Sequence, residues 1–150
     1  MKLSTRSKYG ISAMLALALN EDERPMPINQ IAERQGIPEP YLEQLAGSLK
    51  RSGLVISTRG AMGGYTLGRP AESISIGDVI RALEGSLSLM ACVEDDDVCQ
   101  HTGNCSTHML YARITGGING VFDSITLADL VSDQRSVENG YVCACRGAAK

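Results

Sequence analysis

Apolar residues recur through the first half of the chain at helical spacing. Ile11, Leu15 and Ala18, with Met14 between them, mark one face of a segment that Ser4 or Thr5 can cap and that runs to about Asn20. Pro25-Met26-Pro27 breaks the chain, and a second helix is expected from Ile28. Ala32, Gly36 and Ile37, followed by Leu42 and Leu45, then fit a helix-turn-helix pattern. A small residue at 32 lets two helices cross closely, and Gly36 supplies the positive φ of a tight turn. The next helix is expected from about Pro38 to Ser52, with Pro38 and Pro40 tolerated in its first turn.

The pattern then changes. Leu54 to Thr58 is a β-prone run, Arg59 to Gly64 a glycine-rich turn, and Tyr65 to Leu67 a returning strand. A hairpin directly after a helix-turn-helix is the wing of a winged helix. A phosphate-cradling loop is the competing reading of these glycines, but no Gly-Lys-Ser/Thr follows. Ser75 and Asp78 form a capping box for a helix closed by Gly85, whose Ile76, Val79, Ile80 and Leu83 are expected to pack on the winged helix. A long helix is expected from about Ser106 to Phe122, with Leu110, Ile114, Ile118 and Val121 on one stripe. Gly116, Gly117 and Gly120 lower its intrinsic stability but permit close helix–helix approach. A dimer helix crossing its twofold partner is therefore expected, against the alternative of a kinked core helix within one subunit. Thr126 caps a last short helix, and from Ser132 the chain turns polar.

The expected fold is mainly α with a small β-hairpin: a winged helix-turn-helix domain plus a long dimerisation helix. In order these are a DNA-binding domain over 1–85, a loop over 86–108, the dimer helix and short C-terminal helix over 106–131, and a flexible tail over 132–150.

Composition sharpens this picture at one point. The net charge of −3 on 150 residues divides unevenly: residues 1–70 carry nine Lys+Arg against six Asp+Glu, and residues 71–150 five against eleven. A basic N-terminal half on an acidic chain points to a localised polyanion-binding face. Lys2, Arg6 and Lys8 crowd the start of the first helix, where positive charge opposes the helix dipole, and DNA phosphate is the use expected for them. Tyr41 and Glu43 stand early in the reading helix, where Glu can accept from cytosine N4 in the major groove. Lys50 and Arg51 at its far end suit backbone contact, and Arg59 with Gly60 at the wing tip suits the minor groove. No apolar run approaches the roughly 20 residues that span a bilayer. Lys2 to Leu19 superficially resembles a secretory leader, but the same stretch is an amphipathic helix that the next motif needs, so cytoplasm is expected.

The remaining chemistry is concentrated between Cys92 and His108. Three of the five cysteines, Cys92, Cys99 and Cys105, lie in an acidic, Gly-containing stretch with His108 three residues after the last. In an intracellular chain, close-spaced cysteines mean metal or redox chemistry. No pair shows the Cys-x2-Cys knuckle usual for structural zinc, and long gaps fit a cluster wrapped by a loop better. Cys105 and His108 stand at i and i+3 on the opening turn of a helix, which favours thiolate at Cys105 and prefers His108 over His101 as a nitrogen ligand. Glu94 to Asp97 add negative charge that disfavours an added electron. Cys143 and Cys145 fall in the expected tail.

These residues together carry a family resemblance. The start Met-Lys-Leu-Ser-Thr-Arg-Ser-Lys-Tyr-Gly, the stretch Ile31 to Ile37, Tyr41 to Leu45, Gly53-Leu54-Val55, Arg59-Gly60 through Tyr65, and the three cysteines with His108 all match. Over residues 1 to about 131 the chain resembles the IscR-type iron–sulfur cluster-sensing winged helix-turn-helix regulators. The resemblance implies a homodimeric transcription factor holding a 2Fe–2S cluster through Cys92, Cys99, Cys105 and His108, acting on a double-stranded DNA operator and served by iron–sulfur assembly machinery. One His in place of a Cys removes a negative charge from the ligand set, which raises the reduction potential and makes retention pH-dependent. The chain departs from the family pattern in two places. Six residues separate Cys92 from Cys99 where the family's usual spacing is five, and Pro38 and Pro40 replace small hydroxyl residues that help contact DNA. Other readings are a 4Fe–4S cluster, a zinc-binding or thiol-based regulator, and a cluster carrier or electron-transfer protein reusing the fold. No nucleophile–base pair or catalytic carboxylate pair stands out, so an enzyme is not expected.

Overall fold

The computed structural model describes residues 3–20, 24–60, 62–99 and 104–140. Among them the elements run α1 (Thr5–Ala18), α2 (Ile28–Gln35), α3 (Glu39–Arg51), β1 (Val55–Thr58), β2 (Gly64–Leu67), α4 (Ile76–Glu84), α5 (Ala91–Glu94), α6 (Ser106–Ser124) and α7 (Leu127–Glu138). The architecture is the expected mostly helical winged helix with a two-stranded antiparallel hairpin.

Local signals set most boundaries. The Ser4 hydroxyl accepts from the N–H groups of Arg6 and Ser7 and caps α1. Gly36 ends α2 in the left-handed region, with φ 62°, and turns the chain into α3. Pro38 and Pro40 flank the start of α3, where the missing N–H groups cost nothing. Ser75 with Asp78, and Thr126 with Asp129, form reciprocal capping boxes at α4 and α7.

The core gathers Met14, Leu17, Ile31, Leu42, Leu45, Leu54, Ile74, Val79 and Leu127, all buried. Helix α1 lies at its centre, packed against α2, α3, α4 and α7. Its buried face differs from the expected stripe: Ser7, Gly10, Ala13, Met14, Ala16 and Leu17 are buried, whereas Ile11, Leu15 and Ala18 are only half-buried. A helix covered on several sides has no single apolar stripe. Gly10 permits the close crossing with α4, since a Cβ there would lie 2.1 Å from Leu83 Cδ1.

The wing has a third strand segment in effect. Pro25-Met26-Pro27, expected only to break the chain, carries Met26 into an antiparallel bridge with Tyr65, with N–H···O distances of 2.9 Å in both directions. The hairpin itself pairs Val55 with Leu67 and Thr58 with Gly64.

The chain's end also differs from expectation. Helix α7 continues through Ser132 to Glu138, so no tail begins at 132. Ile76 N–H donates to Ile125 O and Leu127 N–H to Ile74 O, which seats the fully buried Leu127 in the winged-helix core. Residues 132–138, polar in sequence, are part of this helix rather than loose chain. Helix α6 projects from this body with one buried residue, Thr115, while Met109, Leu110, Ile114 and Val121 are exposed. Among the described residues no helix is long and apolar enough to cross a membrane.

Candidate nucleic-acid interface and thiol site

The candidate nucleic-acid face is formed by α1, α3 and the wing. Arg6, in the first turn of α1, is half-buried, and its Nη2 donates to Ser48 Oγ of α3 at 2.9 Å. Arg51 at the end of α3 donates from its own Nη2 to the same hydroxyl at 3.0 Å. Lys8 and Glu43 are exposed, and Tyr41 is half-buried with its ring edge-on to Tyr9, centroids 5.9 Å apart at 80°. Lys50 is exposed and donates from its ammonium to Ser57 Oγ on β1, joining the reading helix to the wing. Arg59 and Gly60 are exposed at the hairpin turn, and Gly60 takes φ 110°, which favours glycine. Lys2 lies outside the described residues.

A second polar cluster holds α1 in place. Glu84, at the end of α4, accepts from the hydroxyls of Ser4 and, at 2.7 Å, Ser7. The Ser4 hydroxyl and then the Ser7 hydroxyl hold its carboxyl below the ordinary Glu range. Two further ion pairs on Asp78, from Arg69 at 3.2 Å and Arg81 at 3.3 Å, and one from Arg81 to Asp123 at 2.6 Å tie the wing's exit, α4 and the end of α6 together.

The cysteine stretch leads through α5 into α6, and α6 packs on both α5 and α4. Cys92 lies on the one-turn helix α5, Cys99 follows a 3-10 turn over Asp96–Val98, and Cys105 is the residue before α6. All three are half-buried thiols. The Leu89 N–H donates to the buried Thr115 hydroxyl at 3.3 Å and fixes the incoming chain on α6. Cys105 Sγ stands 3.0 Å from the Thr107 hydroxyl. That hydroxyl, and then the main-chain N–H of His108, push the Cys105 thiol below the usual cysteine range. One turn on, His108 is half-buried and its Nδ1 is buried with no hydrogen-bond partner.

Among the described residues no three His, Cys, Asp or Glu side chains stand close enough together to hold a metal ion. The donor chemistry nonetheless fits an iron–sulfur cluster: soft thiols, one of them already biased toward thiolate, and a buried imidazole nitrogen lacking the partner that such atoms normally have. His101, Cys143 and Cys145 lie outside the described residues. Glu94, Asp95 and Asp97 are exposed.

Sequence reasoning missed Ser48, Thr115, the Glu84 cluster and the Arg81–Asp123 pair. Each joins positions 26 or more residues apart, which no local periodicity marks.

Comparison with known proteins agrees with this arrangement. The family model described as Rrf2, iron-dependent transcriptional regulator, matches residues 3–133. The chain is 41% identical over 138 residues to the HTH-type transcriptional regulator IscR of Escherichia coli, covering 92% of this chain and 85% of that protein. Among solved structures it is similar to T. potens IscR, with TM-score 0.74, 42% identity and coverage of 92% and 91% of the two chains. It is also similar to CymR, the global cysteine regulator of B. subtilis, with TM-score 0.72, 40% identity and coverage of 88% and 97%. These relatives are transcriptional regulators rather than enzymes. With a winged-helix reading head and a match over nearly its whole length, the chain belongs to the Rrf2 family of DNA-binding transcriptional regulators.

Proposed function

We propose that this chain is a homodimeric, cytoplasmic regulator whose operator binding follows the occupancy or redox state of a 2Fe–2S cluster held by Cys92, Cys99, Cys105 and His108. The observation that carries the reading is the opening turn of α6, where a thiol held below its ordinary pKa and a buried, unpartnered imidazole nitrogen stand three residues apart. The bound cluster supplies reversible one-electron chemistry and sensitivity to oxidants. Assembly machinery for such clusters is the partner that delivers it.

The chain's own residues give the site a route to the reading head. A cluster bound by Cys92, Cys99, Cys105 and His108 ties α5 to the start of α6, and Asp123 at the other end of α6 receives Arg81 of α4. Helix α4 in turn packs on α1 and α3. The exposed face of α6, with Ile114, Gly117, Ile118, Val121 and Phe122 around a surface cleft, supports pairing with a second copy, since a Cβ at Gly116, Gly117 or Gly120 would meet nothing within 4 Å. Cluster binding then shifts the spacing of two reading heads. Arg6, Lys8, Lys50 and Arg51 are assigned to phosphates, Tyr41 and Glu43 to the major groove, and Arg59 with Gly60 to the minor groove.

The test is DNA affinity of the apo and cluster-loaded protein across a panel of promoters. A difference at one or more promoters, abolished in a His108→Ala variant, is expected. Equal affinity for both forms at every promoter would defeat the proposal. The lowered Cys105 pKa also favours a second reading, a thiol switch without metal, in which oxidation of the apo protein alone changes DNA binding.

A further inference from the structure

We propose that Arg6 and Arg51, held by the buried Ser48 hydroxyl, form a clamp for a single DNA backbone phosphate; the inference rests on the family's DNA binding. Both guanidinium groups donate an Nη2 hydrogen to the same oxygen, at 2.9 and 3.0 Å, so the two nitrogens stand less than about 6 Å apart. Two cations this close repel one another, and among the described residues no carboxylate lies within ion-pair distance of either. Glu84, which feels the charge of Arg6, is occupied by the Ser4 and Ser7 hydroxyls. Arg6 Nε is in addition buried with no acceptor. Arg51 has no carboxylate beside it and Arg6 has only the more distant charge of Glu84, so the two forks make a local excess of positive charge that one anion would balance. A phosphodiester oxygen supplies it, because the guanidinium fork matches phosphate geometry.

Ser48 is what makes the two arginines one site. It is 4% exposed, on the reading helix, and accepts from Arg6 of α1 and from Arg51 one turn further along its own helix. It is a positioning residue: it carries no charge, yet it holds two long side chains in one geometry before DNA arrives and removes part of the ordering cost of binding.

The experiment measures affinity against salt for the full chain on one duplex selected by the protein from random sequence, using wild type, R6A, R51A, the double variant and S48A. Each neutralised phosphate contributes about 0.9 to the slope of log affinity against log salt. If both arginines grip one phosphate, each single variant loses well under 0.9 because the other cation remains, and the double variant loses about 0.9. Losses of about 0.9 for each single variant and roughly 1.8 for the double would overturn the clamp. S48A keeps both charges, so its slope stays while its affinity falls roughly threefold to tenfold. Unchanged affinity would overturn the positioning role. Urea unfolding of each variant accompanies the assay, and if S48A does not fold the arginine cycle decides alone. Inorganic phosphate is the comparison probe: protection of the two arginines from dicarbonyl modification by phosphate as strong as that by the duplex would reassign the site to a free anion.

Discussion

Replacing Gly64 by Ala tests how the wing is seated on the body. A Cβ at this position would lie 2.4 Å from both the carbonyl carbon and oxygen of Met26 and 2.8 Å from Pro27 N, all main-chain atoms that cannot swing aside. Ordinary contact begins near 3.4 Å, so the Met26 segment must retreat by about 1 Å. The two Met26–Tyr65 hydrogen bonds are 2.9 Å long, and a displacement of that size breaks both. Two such bonds contribute about 1 kcal/mol each, and Met26, 2% exposed, loses part of a burial contribution of about 1.5–3 kcal/mol. The smaller entropy of the unfolded Ala chain returns about 0.4–1 kcal/mol. Net destabilisation of about 2–4 kcal/mol is expected from urea unfolding, with weaker DNA binding because Arg59 is carried on the displaced hairpin. Gly60→Ala is the control: its φ of 110° strains Ala, but nothing lies within 4 Å, so only the backbone cost of about 1–3 kcal/mol applies and Met26 stays in place. G64A within about 0.5 kcal/mol of wild type would refute the reasoning.

Leu45→Ala, at a side chain with no exposure on the reading helix, should cost about 2–5 kcal/mol by urea unfolding; a loss under 1 would mean the core collapses around it. Glu84→Gln should flatten the acid limb of stability. The Glu84 carboxyl is held below its ordinary value, so its stabilisation is complete above about pH 4.3 and is lost as pH falls through the folded value. The gap in urea midpoint between wild type and E84Q should therefore shrink from about pH 7 to about pH 3, and a constant gap would count against the Ser4–Ser7 contact. Val121→Asp places a carboxylate on the exposed apolar face of α6 and should weaken dimers by about 3 kcal/mol or more in sedimentation, roughly 100-fold, with the monomer still folded. Unchanged dimerisation would remove α6 from the interface.

Local chemistry accounts for what the chain reveals before folding. Gly36, the two capping boxes and the glycine-rich turn after Thr58 each act within a few residues, so helix-turn-helix, wing and α4 are legible as written. Helix α1 is read less well because Ser7 and Gly10 are buried against Glu84 and Leu83 of α4, and small or polar residues carry no apolar signal. Met26 sits between prolines that read as a break, and only pairing with Tyr65 makes it part of the wing. The site divides in the same way. Cys105 and His108 share a turn because i and i+3 on a helix is local arithmetic. Cys92 lies on α5 and Cys99 just beyond a 3-10 turn, and no periodicity encodes their relation to Cys105.

The most direct measurement is iron and acid-labile sulfide content, with visible and Mössbauer spectra, on anaerobically purified protein beside a His108→Ala variant. About two iron and two sulfide per chain are expected, with a 2Fe–2S signature that shifts and a cluster that is lost faster in the variant. A colourless, zinc-loaded wild type, or a cluster spectrum untouched by His108→Ala, would contradict this.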